Sequence, residues 1–222
     1  MKYLIIISLT LYGILYPYSS QNINNFYNSY YSSSYNIKTI ENNSSQTYKN
    51  ILSLVKAKNM TDEKEKYNYL KNTINQNKDY IKSDDADYLI SVSELMNYIV
   101  YYCGVPEKIS FGTKSKEIYK KILEKDNKNF FALLGTAAGY MHAPAIAGGS
   151  DKKAFEYFNS AMENAKEKYQ KYLSYVWMSQ YYFKIKDEKN YQKYIDMSKS
   201  IYPNGELLKE ALNRNDSKKK PL

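Results

Sequence analysis

The chain has 222 residues, enough for one domain with a real core or one short helical array, and hardly enough for two independent domains. Hydrophobic residues at 43% and charged residues at 25% lie in the globular range. A single cysteine, Cys103, and a single histidine, His142, exclude a disulfide framework, a Cys-rich zinc module and any multi-histidine metal site.

The net charge of +9 invites a nucleic-acid reading that the residue types reject. Arg214 is the only arginine, and lysine cannot supply the bidentate fork that base and phosphate recognition relies on. The lysines alternate with acids, as in Asp62-Glu63-Lys64-Glu65-Lys66, which makes solvated helix faces. No Walker A loop and no GxGxxG occurs, so the usual nucleotide cradles are missing and the sequence points to no cofactor.

In chain order, Lys2 precedes an apolar run from Tyr3 to Leu15, and small residues follow at Ser19 and Ser20. A run of this length falls short of the ~20 residues that span a bilayer and matches the apolar core of a secretory leader, assigned to 1–20. An uncleaved anchor is the alternative, and it would be the one route to membrane attachment. The absence of a nearby cysteine excludes bacterial lipid attachment, and the expected location is the periplasm or cell envelope. Residues 21–45 are dominated by Asn, Ser and Tyr without helical or strand period, and predict a structureless linker. The tail 214–222, with Lys218-Lys219-Lys220, reads as basic and frayed.

Between them, 46–213 reads as helix after helix, an all-α domain of about nine. The expected spans are Gln46–Lys58, Thr61–Ile81, Asp84–Cys103, Lys114–Glu124, Asn129–His142, Asp151–Lys168, Lys171–Ile185, Glu188–Ile201 and Glu206–Asn213. Gly and Pro cluster at the breaks Gly104–Pro106, Pro144–Gly149 and Pro203–Gly205. A weak repeat lies within. Ala154, Phe158 and Ala161 place an aromatic between two small residues, and Ser115, Tyr119 and Ile122 keep the spacing one unit earlier. Asn190, Tyr194 and Met197 keep it more loosely one unit later. Ahead of the middle set, Phe131, Leu134, Gly135 and Ala138 form the matching first-helix pattern. Small residues let two helices approach while the ring fills the groove between them. With steps slightly above the ideal period of about 34, the pattern resembles a tetratricopeptide-like α-solenoid of antiparallel helical hairpins.

The run from Ile118 to Asp187 resembles, more narrowly, the T-component of tripartite ATP-independent periplasmic transporters. The matching elements are Ile122-Leu123-Glu124-Lys125-Asp126, Gly135, Pro144, the corner Gly148-Gly149-Ser150, Lys153-Ala154 with Phe158 and Ala161, and an aromatic helix from Tyr172 to Phe183. That resemblance implies a non-catalytic accessory of a solute transporter, binding a protein partner and working as a homo-oligomer that passes ligand to a periplasmic solute receptor.

The aromatic helix carries rings on several faces, too many for one core, so a ligand or partner groove is expected between it and the preceding corner. Its candidate lining is His142, Pro144, Gly148, Gly149, Trp177 and Tyr181. The rival reading is an envelope enzyme built on a Cys103–His142 pair or on the carboxylates Asp84, Asp85, Asp87, Glu107 and Glu117. Equivalent positions of adjacent repeats lie about a helix diameter apart, too far for a nucleophilic pair, and the reading adopted is non-catalytic with no metal.

Overall fold

A computed structural model describes residues 24–32, 45–218 and 220–222, the side chain of Lys218 excepted, so the expected leader lies outside the described residues. Among them every regular element is helical, and the architecture is all-α. Helix α1 spans 24–31. Then follow α2 (Gln46–Asn59), α3 (Glu63–Gln76), a 3-10 turn (Lys78–Lys82), α4 (Ala86–Ile99) and α5 (Val105–Lys125). After them come α6 (Phe130–His142), a 3-10 turn (Ala145–Ala147), α7 (Asp151–Glu163), α8 (Lys168–Lys184), α9 (Glu188–Ile201) and α10 (Glu206–Lys218).

Each start has a local cause. The side chains of Ser45, Asp62, Asp85, Asn129, Ser150 and Asp187 accept hydrogen bonds from otherwise orphaned N–H groups of the first turn. Glu167 and Gln170 close a reciprocal capping box on α8. Helix α5 begins at Val105, well before the expected Lys114. Pro106 stands in its first turn, where the missing N–H costs nothing, and the Gly104–Pro106 break is therefore the start of a helix. The long span expected over Thr61–Ile81 is cut at Asn77, whose amide is drawn into a buried network. Asn50 donates to Asn77 Oδ1 at 3.0 Å and to Ser91 Oγ at 2.9 Å, while Asn77 returns a bond to Asn50 Oδ1 at 2.9 Å, tying α2, α3 and α4 together.

Two departures concern segments expected to be structureless. Residues 24–31, expected to belong to the 21–45 linker, form a helix whose Phe26 and Tyr27 are buried in the core. The tail expected to be disordered from 214 instead continues α10 to Lys218, and Leu222 is buried beyond it. Gln180 and Asn215 exchange two amide hydrogen bonds, of 3.0 and 2.9 Å. Asn215 also donates to the Lys220 carbonyl, and the Leu222 N–H donates to Gln180 Oε1. Long-range amide pairing holds the C-terminal segment where composition alone suggested solvation.

Consecutive helices pack on one another from α2 to α9, and α2 also meets α4, α6 meets α8, and α8 meets α10. The core divides into one cluster on α2–α6 and another that takes in α1, α6–α10 and the Tyr48, Ile51 and Val55 face of α2, with Leu123 and Phe131 touching both. Ala154, Phe158 and Ala161 are all buried, as are Ser115, Tyr119, Ile122 and Tyr194; Asn190 and Met197 are half-buried. Gly135 shows why the small positions matter: a methyl there would overlap the Tyr119 ring, which crosses it closely and whose hydroxyl accepts a 2.9 Å hydrogen bond from Asn97.

Candidate binding groove

The corner between α6 and α7 is closed by backbone. Gly148 sits at φ 85°, a conformation that glycine enters without strain, and a Cβ on Gly149 would overlap the Ala143 carbonyl. Gly149 N–H donates to the Pro144 carbonyl and Ser150 N–H to that of Tyr140, both at 3.0 Å. Lys184 joins the corner to α8 through Asp151, at 2.5 Å, and through the Met141 carbonyl, at 2.7 Å. Gly148, Gly149 and Pro144 thus build a rigid turn, with Ile146 on its outside almost wholly in water.

His142, Trp177 and Tyr181 are brought together with Phe158 as one ring cluster. His142 meets Trp177 edge-on at 6.1 Å, Trp177 stacks on Phe158 at 6.1 Å, and Tyr181 crosses Phe158 at 6.4 Å. Crowding of the imidazole, then the Arg214 and Lys184 charges, draw His142 down to about 4, although over a third of the residue remains open to water. Cys103 is half-buried, and burial followed by the Glu107 charge pushes its thiol up, the reverse of what an activated nucleophile needs. Glu107 itself is held by the Tyr67 hydroxyl at 2.8 Å and by Lys71 at 2.9 Å. Among the described residues no group of three or more His, Cys, Asp or Glu side chains could hold a metal ion, and no helix is long and apolar enough to cross a membrane.

The many rings of α8 have a simple explanation in its position. Tyr172 contacts Tyr31 of α1 and Tyr202 after α9, Tyr181 contacts Phe155 of α7, and Tyr182 stacks on Tyr194 of α9 at 5.5 Å. Helices α1, α6, α7, α9 and α10 surround it, so that Tyr169, Tyr172 and Tyr181 are buried and Tyr175, Trp177, Tyr182 and Phe183 half-buried.

A roomier opening is formed by other residues. A cleft of about 870 Å³ lies between α2, the end of α4 and α10, lined by Tyr30, Tyr31, Lys58, Tyr98, Tyr101 and Arg214 among others. A second recess of about 130 Å³ lies against Asn24, Asp87, Asn129, Phe131 and Tyr169. Helix α1 lies between them, with Asn24 at one opening and Tyr30 and Tyr31 at the other; α4 borders both recesses, α6 and α8 the smaller, and α2 and α10 the larger. In the larger recess, cations lie over tyrosine faces. Lys58 sits 5.4 Å from the Tyr30 centroid and 5.8 Å from that of Tyr98, and the Arg214 guanidinium sits 5.0 Å from Tyr101. Burial alone would lower the Lys58 ammonium, but the neighbouring Tyr30 hydroxyl, to which Lys58 donates a 2.9 Å bond, raises it. Glu94, half-buried on α4 between Asp87 and Tyr98, is pushed up to about 7 by burial, against the weaker pull of Lys58.

The sequence reading did not single out these groove residues. Two signals were present: the paired rings Phe26-Tyr27 and Tyr30-Tyr31 recur at a helical step, and Tyr98, Tyr101 and Tyr102 gather at the end of α4 and the turn after it. Comparison with family models, curated proteins and solved structures finds no match for the chain.

Proposed function

We propose that this is an exported, non-catalytic helical-repeat protein of tetratricopeptide-like build that binds a protein partner along the groove walled by α2, α4, α6, α8 and α10. The observation that carries the reading is that groove: alternate helices of one array supply its walls, and its open ends total far more volume than a packing defect. Further support comes from the packing pattern, in which helices meet the next and, at several places, the next but one, and from the buried stripe Ala154, Phe158 and Ala161. The apolar run after Lys2 supports export to the periplasm or envelope. The narrower reading, a T-component-like accessory that assembles with itself and with a solute receptor, rests on the Ile118–Asp187 resemblance.

The test is affinity capture with the full chain from a cell-envelope extract, with identification of the co-purifying proteins, beside a Tyr98→Ala/Tyr101→Ala variant. A partner retained by the wild type and lost by the variant is expected, and a solute receptor would favour the transporter reading. Recovery of nothing above background, or equal recovery by both proteins, would remove the groove as the binding surface.

A further inference from the structure

Helix α1 is seated in the groove as a ligand would be. It carries no charge, and Phe26, Tyr27, Tyr30 and Tyr31 recur at a helical step. Tyr27 lies 5.1 Å from Phe131 of α6 and 5.3 Å from Tyr169 of α8, and Tyr31 lies within 6.3 Å of both Tyr169 and Tyr172. Side-chain hydrogen bonds anchor it as well. The Tyr169 hydroxyl donates to Asn24 Oδ1 at 2.9 Å, the Tyr202 hydroxyl to Asn28 Oδ1 at 2.8 Å, and Lys58 to the Tyr30 hydroxyl at 2.9 Å. A helix this short is not stable alone in water, so its form depends on the groove that holds it.

Two features show that the groove accepts more than this helix supplies. It continues past both ends of α1, by about 130 Å³ beside Asn24 and about 870 Å³ beyond Tyr31. In the larger end the Arg214 guanidinium lies over Tyr101 and 4.0 Å from Glu210, while its Nε is buried without a hydrogen-bond partner among the described residues.

We propose that the groove is a receptor for an aromatic, uncharged helix, that 24–31 is its intramolecular occupant, and that a partner protein binds by displacing this segment with a longer helix of the same chemistry. The incoming helix repeats the paired-ring face over α6 and α8. Beyond the rings that replace Tyr30 and Tyr31, it presents an oxygen acceptor to Arg214. This deepens the protein-binding reading above and rests on it. The segment then acts as a competitive guard, keeping the rings of Phe131, Tyr169 and Tyr172 covered until a partner arrives.

The experiment uses the full chain and a fluorescein-labelled peptide of its own residues 22–34, so its result does not depend on capturing any partner. Binding is read by fluorescence anisotropy with the wild type and with a Tyr27→Ala/Tyr31→Ala variant whose far-UV circular dichroism shows it folded. The variant is expected to bind the peptide at least tenfold more tightly than the wild type, because its own segment no longer competes. A peptide with alanine at the positions of Phe26, Tyr27, Tyr30 and Tyr31 is expected not to bind. If the double variant does not fold, hydrogen exchange on the wild type gives the same answer. Excess peptide should raise exchange at 24–31 by at least tenfold while α8 stays protected. Equal affinity for both proteins, binding by neither, or exchange at 24–31 indifferent to peptide would overturn the proposal. Conversion to a dimer that swaps 24–31 between copies would overturn the displacing partner in favour of a second copy of this chain.

Discussion

Glu94 offers the sharpest test of how the groove interior is built. Its carboxyl is half-buried on α4; among the described residues no donor hydrogen-bonds it and no cation lies within ion-pair distance. Burial lifts it from 4.5 to about 7, with Lys58 pulling weakly the other way. A folded-state value above the unfolded one means that the native chain holds the proton more tightly, so this group's cost is absent below about pH 4.5, grows as pH rises, and is complete above about 7. At about 1.4 kcal/mol per pH unit, the full cost is on the order of 3 kcal/mol. Glu94→Gln removes the titration while keeping the shape. Urea unfolding at several pH values from 4.5 to 8, followed by the fluorescence of Trp177 and by circular dichroism, should show the variant gaining on the wild type steadily and ending about 2–3 kcal/mol ahead at pH 8. Any fixed cost of the new amide shifts both ends equally and leaves the slope untouched. A difference independent of pH, or one that grows toward acid, would refute the placement of Glu94 in a dry interior.

Other substitutions probe the packing. Gly135→Ala drives a methyl into the buried Tyr119 ring and should cost about 1–3 kcal/mol by urea unfolding, despite the better helix propensity of alanine. Phe158→Ala empties a site with 1% exposure and should lose about 3–5 kcal/mol, with a changed Trp177 emission because the indole loses its stacking partner. Asn215→Ala removes both of its amide bonds to the buried Gln180, which keeps only the Leu222 N–H and the Ser179 hydroxyl as partners. A loss of about 1–3 kcal/mol is expected, together with faster hydrogen exchange at Leu222; an unchanged Leu222 amide would show that the tail is held by something else.

The helices of 46–213 were legible because their signals are local. Periodic apolar residues, capping side chains at Ser150 and Asp187, and the Gly-Pro breaks act within a few residues of one another, and Glu188–Ile201 was read to the residue. The stripe Ala154, Phe158 and Ala161 was legible for the same reason. What escaped depends on partners far along the chain. Segment 24–31 has little reason to be helical until Phe131, Tyr169 and Tyr202 receive it, and the amides of Asn77 and Asn215 become structural only when Asn50 and Gln180 meet them. The aromatic crowding of α8 suggested a groove beside that helix, whereas the assembled fold packs many of its rings against neighbouring helices. The sequence by itself determined an array of capped, amphipathic helices, because propensity and periodicity are short-range. The tertiary structure alone decided which faces meet, where a groove is left open and which segment of the chain lies in it, because burial and hydrogen-bond pairing between distant residues have no local signature.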